Sequence, residues 1–229
     1  MEAKVSEELN AFTKPTHYCD SDHKEIQAAA RKLAEGTNTA FEQALRIHRY
    51  VRDRYQFGFT PVTEKASDTL KGELGWCVTK TNLQIALLRS LGIPARYHQV
   101  ALSKTSLKGI ISNTIYRIIK DPIWFHPWCE CFLDGKWIAC DLYIDRFTYQ
   151  AAINKGLYDA GYFPTVEWDG KTDLLIVNHW FKEDRGIHAN YDPVVKEVDK
   201  ELSQGPAFVL NTLVRQSNRF TKRLREKYS

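Results

Sequence analysis

The stretch GWCVTKTNLQIALLRSLGIPAR, residues 75–96, decides how this chain folds. Leu83, Leu87, Leu88 and Leu91 recur at helical spacing from Val78 onward, until Gly92-Ile93-Pro94 stops the run, so a helix is expected over 78–92. Cys77 then stands in the first turn of that helix. Backbone N–H groups without intrahelical partners carry partial positive charge there; they favour a thiolate over a thiol and can hold a developing oxyanion.

A hairpin forms the second half of the pattern. The segments 126–133 and 136–143 suit strands, and Asp134-Gly135 between them is the dipeptide of a two-residue type I′ turn. That turn predicts the pairs Leu133 with Lys136, Cys129 with Cys140, Trp128 with Asp141 and His126 with Tyr143. His126, Trp128 and Glu130 then share a face with Trp137, Ala139, Asp141 and Tyr143. Asp141 is a diagonal neighbour of His126, about 7–8 Å away at the backbone, which lets a carboxylate reach an imidazole nitrogen. Asp145 is a second diagonal neighbour, and geometry alone leaves both open. Cys129, Cys131 and Cys140 fall on the opposite face. Three thiols suggest a metal site, but a closed one needs a fourth ligand and His126 points the other way, so core cysteines are expected.

Gly75-Trp76-Cys77, the run Ala86 to Arg96, His126-Pro127-Trp128-Cys129-Glu130 and Asp134 to Asp141 resemble, in that order, the motifs of the transglutaminase-like superfamily of cysteine enzymes. The likeness runs from about Tyr50 to Arg146, and more loosely through Gly186-Ile187-His188 and Asp192-Pro193. It implies an α+β fold with a papain-like core, in which a catalytic Cys at a helix N-terminus packs on an antiparallel sheet carrying His and Asp. It further implies Cys77 as nucleophile, His126 as base and Asp141 as the orienting carboxylate, favoured over Asp145 by its spacing from Trp137. Thr79-Lys80-Thr81 departs from the small and acidic residues common in the family.

The implied activity is acyl transfer through an acyl thioester. Either a peptide or amide bond is hydrolysed, or the acyl group passes to an amine, in some members from a carrier-protein thioester. The expected partner is thus a peptide, amide or thioester substrate, or an acidic carrier protein, with no cofactor and no metal. No D-x-D-x-D-G loop is present, which sets the expectation away from calcium-dependent cross-linking. The rival reading, a ligand-binding module on the same fold, predicts the loss of at least one of the three residues. His98 is a further histidine, read as structural because no carboxylate lies near it in sequence. A second oxyanion donor beside the Cys77 amide would come from Tyr55, Gln56 or Trp76.

The bulk properties fit one domain. At 229 residues, 43% hydrophobic and 26% charged, the chain suits a single core over about 41–193, with N-terminal helices and a basic C-terminal helical extension. No apolar run approaches the ~20 residues of a membrane span, and MEAKVSEELN has no signal-peptide core, so a cytoplasmic protein away from membranes is expected. Five cysteines, an odd count, then suggest reduced thiols. A net charge of +4 argues against nucleic acid, but residues 212–229 hold six Lys or Arg against one Glu. Helices are expected over 25–33, 41–55, 147–155 and, broken at Gly205-Pro206, from 194 to the end. Strands are expected over 96–102 and 110–119, with 103–109 between them as a specificity loop. The first 23 residues are expected to be partly loose.

Overall fold

In the computed structural model, which describes residues 8–229, the stretch 75–96 forms helix Cys77–Ser90. Every residue from Cys77 to Arg89 in it is buried. A helix enclosed on all sides needs neighbours on all sides. In chain order the elements around it are α1 (Lys24–Ala34), α2 (Ala40–Arg54), β1 (Gln56–Phe57), α3 (Ala66–Lys71), β2 (Leu74–Gly75) and the enclosed helix itself, α4. Then follow β3 (Ala95–Leu102), α5 (Asn113–Ile118), β4 (Ile123–Leu133), β5 (Lys136–Cys140), α6 (Arg146–Asn154), β6 (Phe181–His188), α7 (Asp192–Leu202) and α8 (Ala207–Tyr228). Helices α1, α2 and α3 pack on one side of α4, and strands β3 and β4 on the other.

The sheet runs β5-β4-β3-β6 and is antiparallel throughout. Asp134 and Gly135 both take positive φ, 48° and 81°, as the type I′ turn demands. The ladder pairs Leu133 with Lys136 through to Cys129 with Cys140, in the expected register. There it ends. The expected pairs Trp128–Asp141 and His126–Tyr143 are not made, because the Asp141 N–H donates to Leu174 O (3.1 Å) and draws the chain off the ladder.

Two other expectations are corrected. The segment 110–119 contains helix α5 and no strand; Ser112 caps it by accepting from Ile115 N (3.4 Å). Between α2 and α4 lie the short parallel pair β1–β2 and α3. Strand β6 is an edge strand of mostly exposed residues, Lys182 to Arg185 among them, so its sequence shows no apolar alternation. Of the segment expected to be loose, residues 1–7 lie outside the described residues, but 10–20 are pinned. Asp192, opening α7, accepts from the Thr16 hydroxyl (2.9 Å) and from the N–H groups of His17 (2.8 Å) and Tyr18 (3.2 Å).

Arg89 gives the physical reason for the arginine in the ALLRSLGIPAR run. It is 3% exposed and donates to Ala95 O (2.8 and 3.0 Å), Lys14 O (2.7 Å) and Ala189 O (2.7 Å), so it ties the end of α4 to the start of β3 and to two distant segments. Replacing it with Ala leaves those carbonyls without their charged donor. Arg89→Ala is expected to destabilise the fold by about 3 kcal/mol, read from urea unfolding midpoints; an unchanged midpoint would contradict this role.

Candidate active site

Cys77 is the first residue of α4, behind Trp76 as N-cap. Trp76 has no side-chain oxygen to cap the helix. The Thr79 hydroxyl instead accepts from the Trp76 N–H (3.2 Å), and the Cys77 amide opens the helix with no intrahelical acceptor. The thiol residue is 8% exposed, whereas Cys19, Cys129, Cys131 and Cys140 are fully enclosed.

His126 comes from β4 and Asp141 from just past β5, at 1% and 0% exposure. His126 Nε2 stands 3.4 Å from Asp141 Oδ1. The contact is an ion pair without the alignment of a hydrogen bond, for neither ring nitrogen nor either carboxylate oxygen has a well-directed partner. Nε2 faces the carboxylate, and Nδ1 has no hydrogen-bond partner among the described residues. Burial alone would pull the His126 pKa down, but the negative charge that Asp141 and Cys77 set beside the ring overcomes it and pushes it up to about 10. The ring therefore favours the imidazolium, the partner that a thiolate requires.

Asp145 has other work. It caps α6, accepting from Thr148 N (2.9 Å) and the Thr148 hydroxyl (2.6 Å), and it takes Phe57 N (2.6 Å). The structure thus brings Cys77, His126 and Asp141 together and gives Asp145 to backbone capping. His98 departs from its expected setting. Its Nδ1 lies 2.7 Å from Glu130 Oε1 and its Nε2 3.0 Å from Asp184 Oδ1, and the hydrogen bond to Glu130 outweighs burial to raise its pKa. Those carboxylates come from neighbouring strands, where sequence proximity gives no hint of them.

Two of the three candidate oxyanion donors are engaged elsewhere. The Trp76 indole N–H donates to Thr60 O (3.1 Å), and the Tyr55 hydroxyl donates to Leu70 O (3.0 Å). The expected specificity loop is a 3-10 turn whose Ser106 and Leu107 are buried. The hairpin cysteines form a core cluster, with Cys131 Sγ and Cys140 Sγ 4.0 Å apart and Gln84 Nε2 donating to Cys140 Sγ (3.2 Å). Among the described residues no three His, Cys, Asp or Glu side chains are grouped to hold a metal ion.

His48 was legible in the sequence only as part of the apolar stripe of α2. Burial holds it neutral, with its pKa lowered to about 3, and its Nε2 reaches Asp141 O (3.3 Å), fixing the backbone that presents the carboxylate. Tyr143, expected on the His126 face, sets its ring edge-on to His126 at 5.7 Å and keeps a buried hydroxyl without a hydrogen-bond partner among the described residues.

With this geometry in place, a scan of protein families matches residues 27–142 to the transglutaminase-like superfamily, half of the chain. The chain belongs to that superfamily. The match begins earlier than the sequence motifs alone suggested, taking in α1 and α2. A search of curated proteins found no match. Among solved structures the chain is similar to a Cytophaga hutchinsonii protein regarded as a cysteine protease, with TM-score 0.53 and 21% identity over 81% of this chain and 48% of that one. It also matches red sea bream transglutaminase at TM-score 0.36 and 17% identity, over 65% of this chain and 32% of that one. This chain spans about half the length of the Cytophaga protein. The fold is transglutaminase-like, a mixed α/β structure with an antiparallel sheet.

The raised His126 pKa has a consequence for stability. A group whose folded pKa lies above its ordinary 6.5 contributes stability that is complete below that value and is lost as pH rises towards about 10. Urea midpoints should fall across that window in the wild type. In Asp141→Asn the fall should be smaller and end at lower pH, and an identical pH profile in the two proteins would refute the ion pair.

Proposed function

We propose that the chain is a cysteine-dependent acyl-transfer enzyme that works through a Cys77-His126-Asp141 triad. The observation that carries this reading is the buried His126–Asp141 ion pair beside a thiol at a helix N-terminus. His126 takes the Cys77 proton, and the thiolate attacks a carboxamide, peptide or thioester carbonyl. The Cys77 amide faces the oxyanion. The imidazolium then protonates the leaving amine or thiolate, which leaves an acyl thioester on Cys77. Neutral His126 next takes a proton from water or from an amine, whose attack releases the acid or amide and restores the thiol. Asp141 holds the ring and offsets its charge.

Supporting a protease or amidase reading is the likeness to the Cytophaga protein; supporting amine transfer is membership of the superfamily. An acidic carrier protein as acyl donor is supported by α8, where Arg215, Arg219, Lys222, Arg223 and Lys227 are exposed. Arg225 is not part of that surface: it is buried and donates to Phe57 O (2.9 Å).

Two outcomes test the reading. Iodoacetamide should label Cys77 before any other thiol, since the remaining four are fully enclosed, and peptide mapping that finds the first adduct elsewhere would sink the nucleophile assignment. Incubation with peptides and acyl thioesters should give an acyl adduct on Cys77 by intact mass, absent in Cys77→Ala. Asp141→Asn should slow its formation by orders of magnitude, whereas Asp145→Asn, which keeps a capping oxygen but loses the one that takes Phe57 N, should act mainly on stability, by about 1–2 kcal/mol.

A further inference from the structure

His98 lies directly opposite Trp128 in the β3–β4 ladder, and Val100, two residues on, lies opposite His126. Three rings therefore lean on one another across the strands: His98 on Trp128 at 4.5 Å between centroids, and Trp128 on His126 at 6.5 Å. They differ in how they are held. His126 has no well-directed hydrogen bond at either nitrogen, and the buried Trp128 indole N–H has no partner among the described residues. Ring packing, with the Asp141 charge acting on His126, is what orients those two. His98 is the opposite case, because both of its nitrogens meet carboxylates. Its Nδ1 stands 2.7 Å from Glu130 Oε1 on β4, and its Nε2 3.0 Å from Asp184 Oδ1 on β6. Glu130 is fixed in turn by Arg96, whose Nε donates to the other oxygen (2.7 Å) while the guanidinium lies 3.9 Å over the Trp137 ring.

An ionised carboxylate only accepts, so a ring bonded to one at each nitrogen carries a proton on both. The charged groups that face His98 are Glu130 from β4 and Asp184 from β6. The hydrogen bond to Glu130 raises its pKa against burial, and Asp184 adds to the rise. His188, also on β6, is held below its ordinary value, first by burial and then by the His98 charge, so it offers no competing cation. The clamp is complete below the ordinary histidine value of 6.5 and opens as pH rises through the raised one. A ring that loses one proton keeps one N–H. The shorter contact is to Glu130, the less exposed carboxylate, so the bond to Asp184 is the one given up.

We propose that His98 is a positioning residue for His126: as an imidazolium clamped between Glu130 and Asp184, it is the fixed plate that holds Trp128, and through Trp128 the His126 ring. This rests on the triad reading above. The test compares the rate at which iodoacetamide labels Cys77 at pH 7 in the wild type, His126→Ala, His98→Phe and His98→Arg. His98→Phe keeps a flat ring against Trp128 but holds neither carboxylate, and should slow labelling about tenfold by letting the rings shift. His98→Arg should restore the rate, because a guanidinium can meet two carboxylates and stack on an aromatic face. If His126→Ala labels as fast as the wild type, the triad reading fails and the proposal falls with it. If His126→Ala is slow and His98→Phe is not, the triad stands and the proposal alone is overturned. Equal slowing in His98→Phe and His98→Arg also overturns it, since ring shape and not the clamp would then matter. Should His98→Phe fail to fold, the 15N shifts of the His98 ring decide. Two protonated nitrogens at pH 7, with a titration midpoint lowered by about half a pH unit in Asp184→Asn, support the proposal. A neutral ring at pH 7, or a midpoint that Asp184→Asn leaves unmoved, overturns it.

Discussion

Burying one helix around its whole circumference is the constraint on which the rest of this molecule depends. Because α4 has no solvent face from Cys77 to Arg89, its partners must close over it from both sides: three helices on one, the sheet on the other. The N-terminus of that helix is then carried into the interior, where its unpaired N–H groups act in a low dielectric and are worth more than at a surface. The sheet that covers α4 is also the element that carries His126. Packing and chemistry therefore have one cause, since the strand that seals the helix is the strand that brings the base to the thiol.

Burial on this scale forces the charges to be balanced locally. His126 and Asp141 are almost wholly enclosed, and each would be costly alone. His126 Nε2 stands 3.4 Å from Asp141 Oδ1, so each offsets the other's charge, and Asp145 is held by the Thr148 and Phe57 donors, with Arg225 from α8 on the same Thr148 hydroxyl. The C-terminal helix, expected as a basic extension, thus has two faces. Most of its basic residues meet solvent, while Arg225 joins the core beside Thr148 and the chain of β1 (Phe57 O).

Much of this was legible because it is local. The helix of 75–96 announces its start and stop, and Asp134-Gly135 fixes a register that the ladder follows from Leu133–Lys136 to Cys129–Cys140. What failed was what distant segments decide. Leu174 takes the Asp141 N–H and ends the ladder there, and nothing near the hairpin encodes that. The carboxylates on His98 come from β4 and β6, and β6 is an edge strand whose exposed polar residues hide its period. The apolar residues of 110–119 read as a strand, although Ser112 at their head is helix-starting chemistry.

The choice between Asp141 and Asp145 shows how a local rule can settle what a register argument leaves open. Alternation along a strand puts both on the His126 side, but it holds only while the ladder holds, and the ladder ends at Cys140. Beyond it the chain follows helix-start chemistry. Asp145-Arg146-Phe147-Thr148 is an N-cap sequence, an aspartate followed three residues later by a threonine whose N–H and hydroxyl both satisfy it. A carboxylate that accepts from Thr148 and from Phe57 N has little capacity left for an imidazole. Among the described residues Asp141 has no such donors, its close ion pair is with the His126 ring, and its carbonyl is held from behind by His48. The carboxylate left unsatisfied by the backbone is the one available to the histidine.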